Sequence, residues 1–526
     1  MSKQIKRYLN YLSNALKQNK KIIFCALIST FAWGTIAHGS FFLHNSFSHD
    51  SLNELVPSVM GNSWKIQLGR VFVPIYRLIL GEIVTTPWTI GLLSLLYIAI
   101  TVFLVAKIFK IKSRGIIVLI SGIFVTNISV ISITATYIHD LDCYMFALAL
   151  SVFAVYLWRK YKKGYLCGAI PICFSLGLYQ SFISVAITLI LISLIICLIN
   201  EKETNKVIRN GIKGCVMLVG GGILYYVAIK VICFISGTPL LSGRYNSLDA
   251  ASSTPILIFI KNIFAGWNNT FKQFFSQVSI YPEFLFSVLN AIILVIIAIC
   301  TIKALFSEEL KIKAKILLVV LVALLPISMN VVYALTNGMS HDLMHYAIWL
   351  TNLLALLMIV KSPTNSLKST LRSSLLMAVS GALFVILWSN VQVANIVYLK
   401  KDLEQKANLS LFTRMVQQIE DYPGYIGGET PVVFVGKPDS ELKEIPGLEK
   451  FYKITGSDNK YVLGAAKQTY YRAYFSYILH NPANIADSVT WDKIQNDKRV
   501  IDMSCYPKKE SILMIDNIMV IKLGEH

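Results

Sequence analysis

Long apolar segments recur along the chain, and short polar or charged stretches separate them. Each segment has about 20 residues, the length that a helix needs to cross a bilayer. The pattern predicts eleven membrane-spanning helices, at 22–43, 88–108, 115–136, 142–158, 164–178, 180–200, 214–236, 283–303, 315–336, 343–360 and 374–396.

The stretch between the first two apolar segments, 44–87, is too long for a simple turn. Between Trp64 and Leu80 its apolar residues fall on one side of a helical pattern, which predicts a helix in the membrane interface beside a polar cavity. Charges at that depth are costly unless they handle something polar, although a connecting loop with solvated charges remains an alternative. The ionisable residues of this stretch include His49, Asp50, Glu54, Arg70, Arg77 and Glu82.

The distribution of lysine and arginine predicts the orientation. The connecting segments assigned to the inside carry 25 such residues and those assigned to the outside carry 6. Basic residues favour the cytoplasmic side, so we expect a multi-pass cell-membrane protein with a cytoplasmic N-terminus and an extracytoplasmic C-terminal part. Residues 1–21 are expected to form a basic amphipathic helix on the inner leaflet. The first apolar segment is too long for a cleaved signal sequence and is expected to be retained.

Composition supports the same class. The chain has 526 residues, of which 55% are hydrophobic and 15% charged, with a net charge of +20. The positive charge is explained by anionic lipid headgroups and requires no nucleic acid. The nine cysteines lie mostly in predicted spans and show no metal-binding spacing, so the sequence predicts neither a disulfide framework nor a metal site.

The composition changes after residue 396. Residues 1–396 form a predicted transmembrane domain, and 397–526 have the patterning of a small extracytoplasmic α/β domain. The predicted elements of this domain are a helix at 402–420, a strand at 431–435, a helix at 463–479 and a strand at 518–523. Because it lacks a phosphate-binding loop and a nucleophile elbow, it is expected to be a lid or recognition domain.

Polar residues stand at the predicted external ends of several helices. Asp140 and Asp142 flank the start of the fourth span, where Asp142 could instead only stabilise the helix N-terminus. Tyr179 and Gln180 form an external tip, where a tyrosine is often just an interfacial aromatic residue. Lys230 lies in the outer half of the seventh span and could simply extend to the headgroups.

The second long external stretch, 238–282, contains Arg244 and Tyr245 before an amphipathic run at 256–278 that predicts another interfacial helix. His341 lies in the last short external turn. A transporter would place ionisable groups near the membrane midplane, often in two related halves, and neither feature is present in the sequence. The arrangement therefore favours chemistry at the outer interface on a substrate anchored in lipid.

Several short motifs together resemble a known family. They are His49-Asp50 with Gly69-Arg70, Asp140-Leu141-Asp142-Cys143-Tyr144, Leu178-Tyr179-Gln180, the run from His341 to Tyr346, and Cys505-Tyr506-Pro507-Lys508 before Asn517–Leu523. The chain is similar to the GT-C superfamily of membrane glycosyltransferases and, within it, to the bacterial glucosyl transferases of the Gtr type II (serotype-converting) kind. The resemblance implies an all-α polytopic membrane protein with a small external α/β C-terminal domain.

The resemblance also implies an activity, namely transfer of a hexose, with glucose favoured, from a polyprenyl-phosphate sugar donor to a cell-envelope glycan acceptor. A single displacement would invert the anomeric carbon, with Asp50 as general base and Asp140 in reserve. Arg70, Arg244 or Lys230 would hold the lipid phosphate. Relatives often carry paired acids where this chain has His49, so no cofactor is expected and a divalent metal is not favoured. The side chains expected to bind substrate are His49, Arg70, Asp142, Tyr179, Gln180, Lys230, Arg244, Tyr245 and His341.

Two other classes remain open at this point. A lipid-linked oligosaccharide flippase would share the topology and the basic loops but would form no glycosidic bond. An envelope-glycan polymerase or ligase would use a diphosphate-linked oligosaccharide as its donor.

Overall fold

The computed structural model describes residues 3–56, 59–81, 84–243, 254–361, 369–436, 444–458 and 468–525. Helices make up most of the described chain, and short 3₁₀ turns at 138–140, 180–182, 342–344 and 346–349 connect several of them. The first group of helices comprises α1 (Lys3–His44), α2 (His49–Asn53), α3 (Val59–Gln67), α4 (Val73–Leu80), α5 (Pro87–Ile108), α6 (Arg114–Thr126), α7 (Ile128–Thr136), α8 (Leu141–Lys160), α9 (Gly164–Leu178) and α10 (Ile183–Glu201). The second comprises α11 (Thr204–Ser236), α12 (Ile256–Phe275), α13 (Glu283–Leu305), α14 (Ile312–Met329), α15 (Val331–Leu335), α16 (Leu350–Lys361) and α17 (Ser369–Glu420).

All eleven predicted apolar segments are occupied by helices. Within the described residues, eight helices are long and apolar enough to cross a membrane, or nine if the bent pair α6 and α7 forms one span. The two remaining segments correspond to shorter apolar helices, Gly164–Leu178 and Tyr346–Lys361. The structure therefore fits a membrane protein, and eleven crossings stay a prediction.

The helices pack as two connected groups. In one group α5 packs on α8, α8 on α9, and α9 on α11, while α1 packs against α5, α6 and α17. In the other, α14 packs on α10 and α12, and α13 packs on α16 and α17. A single apolar core runs through both groups, and the long helix α17 belongs to each of them.

The stretch 44–87, called the first external stretch after its predicted location, differs from its prediction. The sequence predicts one helix over 64–80, but the structure has two, α3 and α4, with a turn between them. Gly69 adopts a left-handed conformation (φ 75°) in this turn, and Pro74 lies in the first turn of α4, where its missing N–H costs no hydrogen bond. In α4 the apolar Leu78 is 82% exposed whereas Arg77 is buried. This distribution fits a helix with lipid on its apolar side, as the interfacial prediction requires.

Two predicted boundaries fall inside continuous helices. The N-terminal amphipathic segment and the first apolar segment form one helix, α1, because no proline or other break interrupts 3–44. The predicted domain boundary at 396 lies in the middle of α17, which joins the last apolar segment to the predicted helix 402–420. In contrast, the amphipathic run after residue 255 forms the single helix α12, as predicted.

The C-terminal part contains a small mixed sheet. Its described elements are the strands β1 (Pro431–Val435), β2 (Asn484–Ile485), β3 (Ile512–Ile515) and β4 (Ile518–Lys522), the helices α18 (Gln468–Tyr474), α19 (Ser488–Gln495) and α20 (Lys498–Ile501), and a π-turn at 475–479. Among the described residues the strand order is β2-β1-β4-β3, with β1 parallel to both neighbours and β3 antiparallel to β4. The predictions of β1, β4 and the helix at 468–479 are confirmed, β2 and β3 were not predicted, and 463–467 lie outside the described residues.

The C-terminal part packs on the predicted external end of the helical part. Leu52 of α2 lies in the apolar core of the C-terminal part, beside Phe412 and Tyr471. Thr455 donates from its backbone N–H and its hydroxyl to Asp342, at 3.0 and 3.2 Å. Gly456 lies so close to Thr136 that a Cβ at this position would be 1.8 Å from the threonine hydroxyl. These contacts fix the first external stretch between the two parts.

Candidate active site

Asp140 is the centre of a buried network of charges. It ends the 3₁₀ turn before α8 and is fully buried. Its carboxylate accepts hydrogen bonds from Lys65 and Arg77, and from the Tyr144 hydroxyl at 3.0 Å. A buried carboxylate requires such partners because burial removes its hydration. Asp140 is therefore bound on all sides by donors.

The two cations come from the first external stretch. α3 contributes Lys65 and α4 contributes Arg77, and the turn at Gly69 brings the two short helices to the same carboxylate. Arg77 also donates to the carbonyl of His139 at 3.3 Å and lies 3.6 Å from Glu54. The break between α3 and α4 is thus what assembles the network.

His139 links this network to α2. Its Nε2 lies 3.3 Å from the Lys65 ammonium and 3.5 Å from a carboxylate oxygen of Asp140. Nδ1 lies 3.2 Å from the Ser51 hydroxyl, which donates to the carbonyl of Thr136 at 3.0 Å. The position of α2 is therefore coupled to that of Asp140 through Ser51 and His139.

Arg70 lies next to the network and is half-buried. Its NH1 donates to the hydroxyl of Tyr144, and its guanidinium carbon lies 5.4 Å from the centre of the Tyr144 ring and 5.2 Å from that of Tyr179. The two rings stack at 4.2 Å. None of the described residues accepts a hydrogen bond from its buried Nε. Arg70 is thus oriented by aromatic rings and keeps a donor available for a ligand.

Asp50 has different surroundings. It lies in α2, is half-buried, and accepts a hydrogen bond from the Tyr470 hydroxyl of α18 at 3.3 Å. Burial, and then the charge of Asp50, raise the pKa of Tyr470, so this hydroxyl keeps its proton and donates. Asp50 precedes Ser51, whose hydroxyl reaches His139. It is thus placed where the helical and C-terminal parts meet.

Asp142, in the first turn of α8, has partners outside the Asp140 network. It accepts from the Tyr76 hydroxyl at 2.9 Å and from the backbone N–H of Cys143 at 2.8 Å.

Gln180 donates to the Leu68 carbonyl at 2.8 Å and to the Tyr225 hydroxyl at 3.1 Å, and these hydrogen bonds support the turn that carries Arg70.

Among the other predicted residues that the structure describes, Lys230 and His341 are not brought to Asp140. Lys230 is exposed on α11, with its ammonium 5.5 Å from the ring of Tyr226 on the same helix. His341 is exposed in the turn before 342–344. Arg244 and Tyr245 lie outside the described residues, as does the His49 side chain. Their roles in substrate binding stay predictions.

Four residues of this region were not predicted as site residues: Lys65, Arg77, Tyr144 and Tyr470. Arg77 was named only as an ionisable residue of the stretch 44–87, and Tyr144 only as the last residue of the motif Asp140-Leu141-Asp142-Cys143-Tyr144. Lys65 could have been noticed because it lies in the predicted interfacial helix 64–80, where a charge is costly without a partner. Tyr470 gave no local signal. Within the described residues, no group of three or more histidine, cysteine or acidic side chains could hold a metal ion.

The fold fits a membrane protein with several apolar helices, and a charged cluster lies where its first long connecting stretch meets the helical bundle. The chain belongs to the family Glucosyl transferase GtrII, whose sequence profile matches residues 39–360, more than half of the chain. The matched range contains the whole first external stretch and the Asp140 turn. No curated protein and no solved structure matches the chain. The family supports a glucosyltransferase function.

Proposed function

We propose that this protein transfers glucose from a polyprenyl-phosphate glucose donor to a hydroxyl group of a cell-envelope glycan, at the outer side of the membrane. Membership of the glucosyl transferase family supports the class of reaction. The apolar helices fit a lipid-anchored donor, whose polar group would lie at the level of the first external stretch. The cluster around Asp140 then lies where that polar group would be.

The proposal rests mainly on Arg70, which supplies a positive charge and a hydrogen-bond donor that the described residues leave unused. Three cations, Lys65, Arg70 and Arg77, meet two carboxylates in this network. Lys65 and Arg77 are paired with Asp140 and Glu54, so Arg70 supplies the excess positive charge. Its unoccupied Nε and the aromatic rings beside it suit a phosphate oxygen, because guanidinium groups bind phosphates through several parallel hydrogen bonds.

Asp50 fits the role of general base better than Asp140. All the described contacts of the Asp140 carboxylate are donors that hold its oxygens, and it is fully buried. Asp50 is half-buried, at the junction where an acceptor could enter between the two parts. We therefore assign Asp140 to positioning the cations and Asp50 to receiving a proton.

The transfer is a single displacement. The acceptor hydroxyl oxygen bonds to the anomeric carbon while the bond from that carbon to the phosphate oxygen breaks. The hydroxyl proton passes to Asp50, and the electron pair of the broken bond stays on the phosphate oxygen, whose charge Arg70 stabilises. The anomeric configuration is inverted. We propose no metal in this step, because one carboxylate beside an imidazole at 49–50 is a poor Mg²⁺ site.

In the proposed orientation the N-terminus of α1 is cytoplasmic and the C-terminal part is extracytoplasmic. The C-terminal part then acts as a lid on α2. Single cysteines introduced into exposed positions of α19 in a cysteine-free variant should react with a membrane-impermeant maleimide in intact cells. A cysteine at Lys163, in the turn after α8, is the matched inside position and should react only after lysis. The reverse pattern would contradict the orientation.

The decisive test is a reaction with purified protein in nanodiscs, polyprenyl-phosphate glucose and an envelope glycan. A glucosyltransferase releases polyprenyl phosphate and adds one glucose to the glycan. A flippase would move the glycolipid without releasing polyprenyl phosphate. A polymerase or ligase would ignore this donor and consume a diphosphate-linked oligosaccharide. Either of these results would contradict the proposed function.

A further inference from the structure

A second polar site lies at the opposite end of the bundle. The C-terminal ends of α5 and α8 and the start of α11 enclose a cavity of about 440 Å³. Asp142 is the second residue of α8 and Lys160 is its last, so the rise per residue places this cavity about 27 Å from the cluster around Asp140. Its charged lining consists of Lys107, Lys110, Arg159, Lys160, Lys206 and Glu201.

The acidic side chains at this cavity neutralise only part of its positive charge. Arg159 and Lys206 share Glu201, at 3.7 and 2.6 Å, and Lys206 is also 4.0 Å from Glu203. The other lysines, Lys107, Lys110 and Lys160, form no ion pair with any described carboxylate. Lys107 donates to the amide of Asn19 at 2.8 Å and Lys160 to the hydroxyl of Tyr156 at 2.7 Å, and both of these partners are neutral. About three positive charges are therefore left for a ligand.

An apolar groove lies along two of the helices that line this cavity, α5 and α8. It has a volume of about 430 Å³ and is bordered by α1, α5 and α8. On α5, Ile100 and Phe103 precede Lys107 by one or two turns, and on α8, Phe153 precedes Tyr156 by one turn. Residues three or four apart share a helix side, so groove and cavity form one continuous surface. Ile100 is 41% exposed, which leaves the groove accessible from outside the bundle.

We infer that this surface binds a phospholipid whose headgroup carries two phosphates, with the phosphates in the basic cavity and one acyl chain in the groove. Basic cavities between membrane helices on the cytoplasmic side recognise such headgroups, and the three uncompensated charges favour two phosphates over one. Isolated lysines that only extend to the headgroups would not need an apolar groove ending at the same place. The site is independent of the sugar-transfer chemistry.

The test measures lipid binding rather than activity. Protein in nanodiscs of phosphatidylcholine is titrated with fluorescent cardiolipin, and with phosphatidylglycerol as the one-phosphate comparison. The double variant Lys110→Gln/Lys160→Gln should weaken cardiolipin binding about 25-fold, since each lysine near a lipid surface contributes about 5-fold. The matched control Lys162→Gln/Lys163→Gln removes the same charge from the adjoining turn, outside the cavity, and should change binding less than 2-fold, the resolution of the assay.

The groove is tested separately by Ile100→Trp, which fills it, against Ile170→Trp on the exposed side of α9. Only the first should lower affinity for cardiolipin. Equal losses of cardiolipin affinity in the two double lysine variants would indicate general attraction to anionic lipid and would overturn the proposed site. Equal binding of phosphatidylglycerol, or unchanged binding by Ile100→Trp, would overturn the headgroup or the chain assignment. Displacement of cardiolipin by added polyprenyl phosphate at equal concentration would show that the site serves the donor and overturn the assigned occupant.

Discussion

Asp50 and Asp140, the two carboxylates proposed from sequence as bases, lie in opposite surroundings. Asp140 is fully buried among Lys65, Arg77 and Tyr144, whereas Asp50 is half-buried and accepts a hydrogen bond from Tyr470 at 3.3 Å. A carboxylate that two cations hold in a dry site is suited to fixing their positions. A half-buried carboxylate at the junction of the two parts is better placed to meet an acceptor hydroxyl and take its proton. These surroundings support a positioning role for Asp140 and the proposed role of general base for Asp50.

The largest effect should come from Asp50→Asn, which keeps the size of the side chain and removes the proton acceptor. Turnover should fall by roughly two to four orders of magnitude, the usual contribution of a general base, with little change in donor affinity. Turnover and donor affinity are measured in the same nanodisc preparation. Asp492→Asn, an exposed position of α19, is the matched control and should behave as wild type. A folded Asp50→Asn protein with normal turnover would remove Asp50 from the mechanism.

Asp140→Asn should instead act on stability. It leaves Lys65 and Arg77 buried without their counter-charge, and breaking a buried pair costs about 3–5 kcal/mol of unfolding free energy. Denaturant titration in detergent micelles measures this loss. Asp142→Asn, two residues further along the same chain, is the control. Its partners are a tyrosine hydroxyl and a backbone N–H, so its cost should be about 0.5–1.5 kcal/mol. Equal losses for the two variants would contradict the charge-anchoring role of Asp140.

The sequence predicted this site only in part, for identifiable reasons. Hydropathy is a local property, so the apolar segments and the acidic turn at Asp140 were accessible from short windows. Lys65 was missed because 64–80 was interpreted as one helix, and the left-handed turn at Gly69 redirects the chain in the middle of it. Tyr470 is 420 residues from Asp50, and no local pattern predicts a contact of that separation. The continuity of α17 through residue 396 likewise escaped a boundary drawn from composition.

Arg70→Ala should weaken donor binding by about 1.5–3 kcal/mol, since it removes a charge-assisted hydrogen bond to the phosphate. Arg70→Lys should restore only part of the affinity, because an ammonium cannot reproduce the planar arrangement of donors over Tyr144 and Tyr179. Donor affinity is measured by competition with a labelled donor. Lys230→Ala removes the cation that the structure places apart on α11 and serves as the comparison. A larger loss for Lys230→Ala than for Arg70→Ala would move the phosphate site away from the Asp140 network.

The smallest effect concerns the contact that joins the two parts. Tyr470→Phe removes the hydroxyl that donates to Asp50 while keeping the ring. A single hydrogen bond of this kind contributes about 0.5–1.5 kcal/mol, so turnover should fall about 2- to 12-fold. Because the effect passes through Asp50, the double variant Asp50→Asn/Tyr470→Phe should be no slower than Asp50→Asn alone. Tyr477→Phe, an exposed tyrosine after α18, is the control and should leave turnover unchanged. Additive losses in the double variant would show that Tyr470 acts elsewhere, and that the C-terminal part does not position the proposed base.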